Sequence, residues 1–286
     1  MRARPGAGRS MAFKIYLWDA LDAIEWSQAA WRVEGKTVSA EACRGEMIHE
    51  VLPRYLPRDG LILDAGCGTA KWPIYLRQQG YRCAGVEISA DACRMVREMD
   101  SGLPLVRADT RRMPLKSASV DAVLSLGVVE HDEAGPLENL REIKRLLKPG
   151  RLLVLAVPFN NLFRRVAVNH LQRHVDRKRR RLGMRLGFAE YRFTRREVRR
   201  FLHQAGFEQV AVYPNDLRPP KVMGVWVDYD NLVVNPLVEK EPKHLFVITG
   251  WKGRAARTLV RLVPWLVCGE VVVVARARGT ADGREA

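Results

Sequence analysis

No stretch of this sequence is apolar for long enough to cross a bilayer. The longest, Leu259 to Ala275, is broken by Arg261, Pro264 and Glu270, each costly in a hydrocarbon core. Cysteine is sparse: Cys43, Cys67, Cys83, Cys93 and Cys268 are odd in number and never spaced CxxC. That argues against a disulfide framework or a structural zinc site, and for reduced thiols in a cytoplasmic protein. No metal site is expected. The start of the chain lacks the apolar core of a signal peptide. Residues 1–11, basic and rich in Gly, Pro and Ala, read as a disordered leader, with Met11 an alternative start. Acid is scarce too. Thirty-two Asp and Glu against 48 Lys and Arg leave a formal charge of +16, which favours an anionic partner: nucleic acid, an acidic membrane face, or a phosphorylated or carboxylated substrate. The excess is local, with fourteen basic residues against three acidic ones between Arg164 and Arg200.

What is present suffices for one domain with insertions, since 286 residues at 47% apolar content can bury a full core. Residues 12–58 read as a helical segment, with Trp18, Leu21, Ile24 and Trp31 spaced as an apolar stripe, until Pro53 and Pro57 interrupt. Strand-like runs then alternate with helical ones over 59–213. Strands are expected at Leu61–Asp64, Tyr81–Glu87, Leu103–Asp109, Ser119–Leu126, Arg151–Val157 and Phe207–Tyr213, with a last one near Val271–Arg276 inside 268–279. Ser89 is placed to cap one helix. Leu137, Leu140, Ile143 and Leu147 line the face of another, which Lys148-Pro149-Gly150 stops. Thr194-Arg195-Arg196-Glu197 has the form of a capping box. Such alternation implies right-handed crossovers and a parallel sheet covered on both faces. Residues 158–193 form a basic insertion, 214–267 a second insertion or lid, and 280–286 a tail.

In a sheet of this kind ligands bind outside the carboxyl ends of the strands, where strand order reverses. Asp64-Ala65-Gly66-Cys67-Gly68 leaves the first strand there, its glycines allowing the backbone to approach a ligand closely. Glu87 ends the second strand, placed to accept from two vicinal ribose hydroxyls. A P-loop is excluded, because no G-x-x-x-x-G-K-[ST] occurs. A dinucleotide site would want a third glycine, and Gly66-Cys67-Gly68-Thr69-Ala70-Lys71 lacks it. An acid at the head of the loop suits an ammonium better than a phosphate, as on the methionine end of S-adenosylmethionine. Cys67 reads as a small loop residue, not a nucleophile.

Leu63–Thr69, Gly85–Ser89, Ala108-Asp109 with Met113-Pro114, Asp121–Ser125 with Val129-Glu130-His131, and Leu146–Gly150 together resemble class I methyltransferases. The similarity is greatest to the broad group that includes the ubiquinone and menaquinone biosynthesis methyltransferases, and covers roughly 55–213. It implies an α/β, Rossmann-like fold with a seven-stranded, mostly parallel sheet, helices on both faces and an antiparallel last strand. It also implies S-adenosyl-L-methionine as cofactor. By that resemblance Asp64, Gly66 and Gly68 cradle the methionine moiety, Glu87 holds the ribose, and Asp109, with Thr110 beside it, reaches the adenine amine. Ala65, Cys67, Ile88 and Leu126 complete the cofactor lining. Ala70 stands where the family often has glycine, which should tighten the loop.

The acceptor side is less legible. Methyl transfer is promoted mainly by alignment and desolvation, and a base matters only if the acceptor must lose a proton. His131, after the fourth strand, is the candidate catalytic residue; Tyr191, His170 and His174 are weaker ones. The family's (Asn/Asp)-Pro-Pro-aromatic motif for nitrogen acceptors is absent, and so is the Pro-Cys of enzymes that make 5-methylcytosine in RNA. Arg177-Lys178-Arg179-Arg180-Arg181 could steer an anionic substrate, yet no aromatic is interleaved from Gln172 to Leu186, as RNA binding would usually bring. Arg254, Arg257 and Arg261 share a helical face, with Leu259, Leu262, Val263 and Leu266 largely elsewhere and Trp251 and Trp265 at the ends, as in an interfacial helix. The expectation is a methyltransferase for a small-molecule or lipid-like acceptor, with peripheral membrane contact open. The alternatives are an RNA methyltransferase using residues 177–181 and a non-catalytic binding protein on the same scaffold.

Overall fold

A computed structural model describes residues 12–18, 40–216 and 250–279. Its centre is a sheet of seven strands: β2 (Leu61–Ala65), β3 (Arg82–Glu87), β4 (Leu105–Arg107), β5 (Val120–Leu126), β6 (Leu147–Pro158), β8 (Phe207–Asn215) and β9 (Glu270–Ala277). Their order is β4-β3-β2-β5-β6-β9-β8. All neighbours pair in parallel except β9, which runs antiparallel to β6 and β8. The seven-stranded, mostly parallel architecture with an antiparallel last strand is therefore the observed one.

The central strands are apolar along their length because both faces of the sheet are covered. Alternate residues of one strand serve opposite layers. Leu63, Val123, Leu153, Leu155 and Val273 pack with α5 (Leu137–Leu146) and α7 (Arg195–Gln204) through Leu140, Ile143, Val198 and Leu202. Ile62, Leu124, Val154 and Val274 pack with α1 (Ala40–Gly45), α2 (Ile48–Val51) and α3 (Lys71–Gln78) through Cys43, Ile48, Val51, Trp72 and Leu76. The expected caps are in place. Ser89 accepts the Ala92 N–H at the start of α4 (Ala90–Met99). Thr194 and Glu197 each accept the other's backbone N–H, satisfying two donors that α7 cannot.

Two expectations give way. Helix was expected throughout 12–58, but Phe13–Trp18 is a strand, β1. It pairs antiparallel with β7 (Leu186–Arg192), inside the basic insertion. Phe13 and Ile15 are buried and Lys14 and Tyr16 less so. That two-residue period outweighs the helical spacing counted from Trp18, whose later members, Leu21, Ile24 and Trp31, lie outside the described residues. Also, α5 ends at Leu146 and β6 begins at Leu147, so Leu147 pairs with Val120 in the sheet rather than ending the helix face.

The small β1–β7 ribbon reaches the carboxyl end of β5. There the Ala189 carbonyl of β7 lies 2.7 Å from His131 Nδ1, and Phe159, past the end of β6, bridges to Phe193. Helix α6 (Asn169–Arg181) packs on β1, with the Arg173 guanidinium 5.1 Å from the Phe13 ring centre and Arg180 5.3 Å from that of Tyr16. A crossover connection of the sheet is thus covered by a layer that the alternating pattern did not foretell.

Candidate active site

Strand order reverses between β3-β2 and β5-β6, and the loop after β2 opens at that point. The Gly66 and Cys67 N–H groups both donate to the Val86 carbonyl, at 2.8 and 2.9 Å, which curls the loop back over β3. Gly66, Gly68 and Ala70 all have positive φ. At Gly66 the glycine is required twice over: φ is +84°, and a Cβ would sit 2.5 Å from Val128 Cγ2. Ala70 adopts the left-handed conformation despite its Cβ (φ 56°). The departure from glycine noted in the sequence is accommodated, at the cost of some backbone strain. Cys67 turns inward, its Sγ in the space a Cβ on Gly85 would need. Burial pushes its thiol well up, as expected of a packing residue and not of a nucleophile.

Asp64 and Glu87 face this loop from adjacent strands. Glu87 Oε2 accepts the Gly68 N–H at 2.9 Å and Oε1 the Ser89 N–H at 2.8 Å, so the second acid holds the glycine loop in shape. Asp64 is 4% exposed and its carboxyl makes no hydrogen bond among the described residues. Desolvation, reinforced by the charge of Glu87 and offset in part by Lys71, lifts its carboxyl to about 7. A buried acid that raises its own ionisation threshold is suited to a cationic ligand group. The loop, the paired acids and the steric need for Gly66 fit the amino-acid end and ribose of S-adenosylmethionine.

The other expected lining residues are placed less uniformly. Ile88, 40% exposed, follows the end of β3, and half-buried Leu126 ends β5, both at this edge. Asp109 is engaged: Arg111 donates to it from its backbone N–H at 2.8 Å and from Nη2 at 2.6 Å. These bonds to Arg111 hold the Asp109 carboxyl below its usual range. Thr110 donates to Asn139 Oδ1 at 2.6 Å. His131 sits on the short helical turn Val129–His131 after β5. A carbonyl can only accept, so the bond to Ala189 places the hydrogen on Nδ1 and leaves Nε2 as the basic nitrogen. Tyr191 donates its hydroxyl to the Glu133 carbonyl at 2.9 Å, and His170 and His174 lie exposed on α6, so these three are not gathered with the loop.

Glu130 is the residue to which the sequence pattern assigned no role. It is 2% exposed, its Oε2 has no hydrogen-bond partner among the described residues, and Oε1 lies 3.9 Å from His131 Nε2. Burial drives its carboxyl well above the ordinary carboxylate range, and Glu190 and Glu270 push the same way. In the sequence it shows only as an acid after Val128-Val129, and its burial comes from the fold around it.

Residues 63–155 match the family model described as a methyltransferase domain. This stretch is a methyltransferase domain, of the class that takes its methyl group from S-adenosylmethionine. The chain is 30% identical over 113 residues to a malonyl-[acyl-carrier protein] O-methyltransferase of Pectobacterium atrosepticum, covering 39% of this chain and 43% of that one. It is also 30% identical over 140 residues to a tRNA U34 carboxymethyltransferase of Desulfotalea psychrophila, covering 46% and 43%. The match thus spans less than half the length of these relatives. Over the whole fold it resembles a Haloferax volcanii putative methyltransferase, solved in complex with the Trm112 methyltransferase activator. That likeness has a TM-score of 0.58 at 20% identity and covers 89% of this chain and 98% of that one. The domain is clear from these similarities, and its acceptor is not.

Proposed function

We propose that the protein transfers a methyl group from S-adenosylmethionine to a small-molecule or lipid-like acceptor. The observation that carries this is Asp64, a buried carboxyl with no hydrogen-bond partner among the described residues, beside a glycine loop that Glu87 holds open. Asp64, Ala65, Gly66, Cys67 and Gly68 would hold the methionine moiety, and Glu87, Ile88, Asp109, Thr110 and Leu126 the nucleoside. The cofactor supplies an electrophilic methyl group. Asp109 serves the adenine only if Arg111 yields one carboxylate oxygen. Where the acceptor is a hydroxyl, His131 Nε2 takes its proton, with the ring held by Ala189.

The test is transfer from labelled cofactor to metabolite, lipid and RNA extracts, with His131→Asn in parallel. The reading expects label in a small or lipid-like product. For a hydroxyl acceptor it also expects a loss of about 10²- to 10⁴-fold in kcat with cofactor affinity retained. No binding of S-adenosylmethionine in calorimetry would sink the enzyme and leave a scaffold. Label in RNA would favour the second reading, an RNA methyltransferase. Two observations support it: the tRNA-modifying relative, and the exposure of Arg177, Lys178, Arg180 and Arg181. Arg179, the fifth member of that block, is buried against Asp176 and is not available as a grip.

A further inference from the structure

The helix that leaves the carboxyl edge of the sheet has its polarity inverted. It runs from Leu162 through the π-helical turn Arg164–Val168 to the end of α6 at Arg181. A surface helix normally buries an apolar stripe and exposes a polar one. Here the buried side carries Arg164, Asn169, Gln172, Asp176 and Arg179, with Val168 and Val175 among them. These polar groups are held from within. Arg164 donates to the Phe159 carbonyl at 2.8 Å and to that of Gly269 at 3.0 Å; Asn169 donates to Asn160, and Gln172 to Asp176. The outward side of the first turns is apolar instead: Leu162 is 58% exposed, Val166 64%, Phe163 42% and Leu171 37%. Leu162 and Val166 are four apart, as are Phe163 and Ala167, so they form adjacent ridges on one face.

Charge follows directly. Between Leu162 and Arg185 stand nine basic residues against one acid, Asp176, which is itself buried. Arg165, Arg173, Arg177, Lys178, Arg181 and Arg185 are exposed. The helix therefore presents aliphatic side chains where it leaves the sheet and a dense positive field further on. Apolar side chains rimmed by Lys and Arg are the pattern of an interfacial segment, in which the aliphatic part enters the acyl boundary and the cations meet anionic headgroups. Nucleic acid fits less well. Leu162, Val166 and Leu171 are aliphatic and offer nothing on which a base could stack. Phe163 is the lone ring among the exposed apolar side chains of this face, and no aromatic is interleaved in sequence with the charges from Gln172 to Leu186.

We infer that the outward face of residues 162–181 docks the protein on an anionic lipid bilayer. The surface follows directly on Pro158 at the end of β6, so docking brings the carboxyl edge of the sheet, and the candidate active site, to the membrane. This goes beyond the methyl-transfer reading and does not depend on it, because vesicle binding is measured with no acceptor present.

The experiment is co-sedimentation of the full chain with vesicles of mixed phosphatidylglycerol and phosphatidylcholine, and with phosphatidylcholine alone. Binding is expected only to the mixed vesicles. It should fall about tenfold or more both in Leu162→Asp/Val166→Asp and in Arg177→Glu/Lys178→Glu/Arg181→Glu. S-adenosylmethionine binding, followed by calorimetry, should be unchanged in both. Should the aspartates unfold the protein, Leu162→Cys carrying an environment-sensitive dye decides between the outcomes, since all five native cysteines are buried. Its emission should shift to the blue on mixed vesicles. No binding to mixed vesicles, no shift, or binding indifferent to the apolar substitutions would overturn the proposal. So would short RNA retained by both wild type and Leu162→Asp/Val166→Asp in the absence of vesicle binding, which would make this face a nucleic-acid surface.

Discussion

Glu87 reaches across to the glycine loop, its Oε2 2.9 Å from the Gly68 nitrogen, and so the residue proposed to hold the ribose also shapes the loop that holds the methionine end. Its second oxygen takes the Ser89 N–H at 2.8 Å. Charge-assisted bonds of this kind contribute about 1.5–3 kcal/mol each, and their loss leaves buried donors unpaired. Glu87→Ala should therefore weaken binding of S-adenosylmethionine by about 1.5–3 kcal/mol and lower the thermal midpoint of the ligand-free protein as well. Glu87→Gln, which can keep one acceptor in place, should recover part of the midpoint. Calorimetric titration and thermal unfolding of the same preparations separate the two effects. Unchanged affinity in Glu87→Ala would remove this residue from the cofactor site.

A second prediction concerns the proton on Asp64. Its folded pKa, about 7, lies above the ordinary 3.8, so the folded protein holds a proton that the unfolded chain has released. The favourable contribution of this group to stability is complete below about pH 3.8 and is lost as pH rises through about 7. A cationic ligand group reverses the preference by favouring the carboxylate. Binding of S-adenosylmethionine between about pH 6 and 7 should then release a proton, with affinity rising by up to about tenfold per pH unit before levelling off. Titrations in two buffers of different ionisation enthalpy count that proton. Asp64→Asn should bind weakly and show no such release; a release that persisted in it would have to come from another group.

Gly66 tests the shape of the cleft independently of any charge. Gly66→Ala imposes a Cβ at φ +84° and 2.5 Å from Val128 Cγ2. The left-handed backbone alone costs about 1–3 kcal/mol for a residue with a side chain. Adding Val128→Ala removes the steric conflict and leaves the backbone strain, so the double variant should regain part of the lost stability in urea unfolding. Two substitutions whose effects simply add would show that the Val128 contact is relaxed at no cost.

The central sheet was legible because its strands are buried on both faces and must read as apolar runs, as in parallel Leu61–Leu63 and antiparallel Val271–Val274. The caps at Ser89 and Thr194 were legible because a hydroxyl before a helix has few other roles. The glycine loop and Glu87 announced themselves jointly, by residue type at the ends of successive strands. What stayed hidden depends on contacts distant in sequence. β1 is a strand because β7, far along the chain, offers it an edge, and no local pattern reports that. Glu130 escaped attention because its importance lies in being buried with one oxygen lacking a hydrogen-bond partner among the described residues. Asp109 was assigned to the adenine amine by resemblance alone, whereas Arg111, two residues on, folds back onto it. The basic segment was conspicuous as charge, but which side of its helix faces inward could not be told from composition.

Asp121 supplies the last prediction, about what keeps the strands in register behind the site. It is 5% exposed and accepts the Leu61 N–H at 3.1 Å and the Lys148 ammonium at 2.9 Å, with Arg151 Nη2 at 3.4 Å. One carboxylate in β5 therefore joins the starts of β2 and β6. Gly60 makes room for it, since a Cβ there would come within 2.7 Å of its side chain. Burial alone would raise the Asp121 carboxyl, but Lys148, the Leu61 N–H and Arg151 more than reverse this and hold it below 3.8. A depressed folded value gives stability that is present above about pH 3.8 and is lost as pH falls through the folded value. Lys148 and Arg151 are about half exposed and can be rehydrated, so Asp121→Ala should cost about 1–3 kcal/mol, towards the lower end of what breaking a buried pair costs. The loss should be full at about pH 7 and shrink as wild type and variant are compared at progressively lower pH. A cost independent of pH down to about 3 would mean that packing, and not this carboxylate, sets the register.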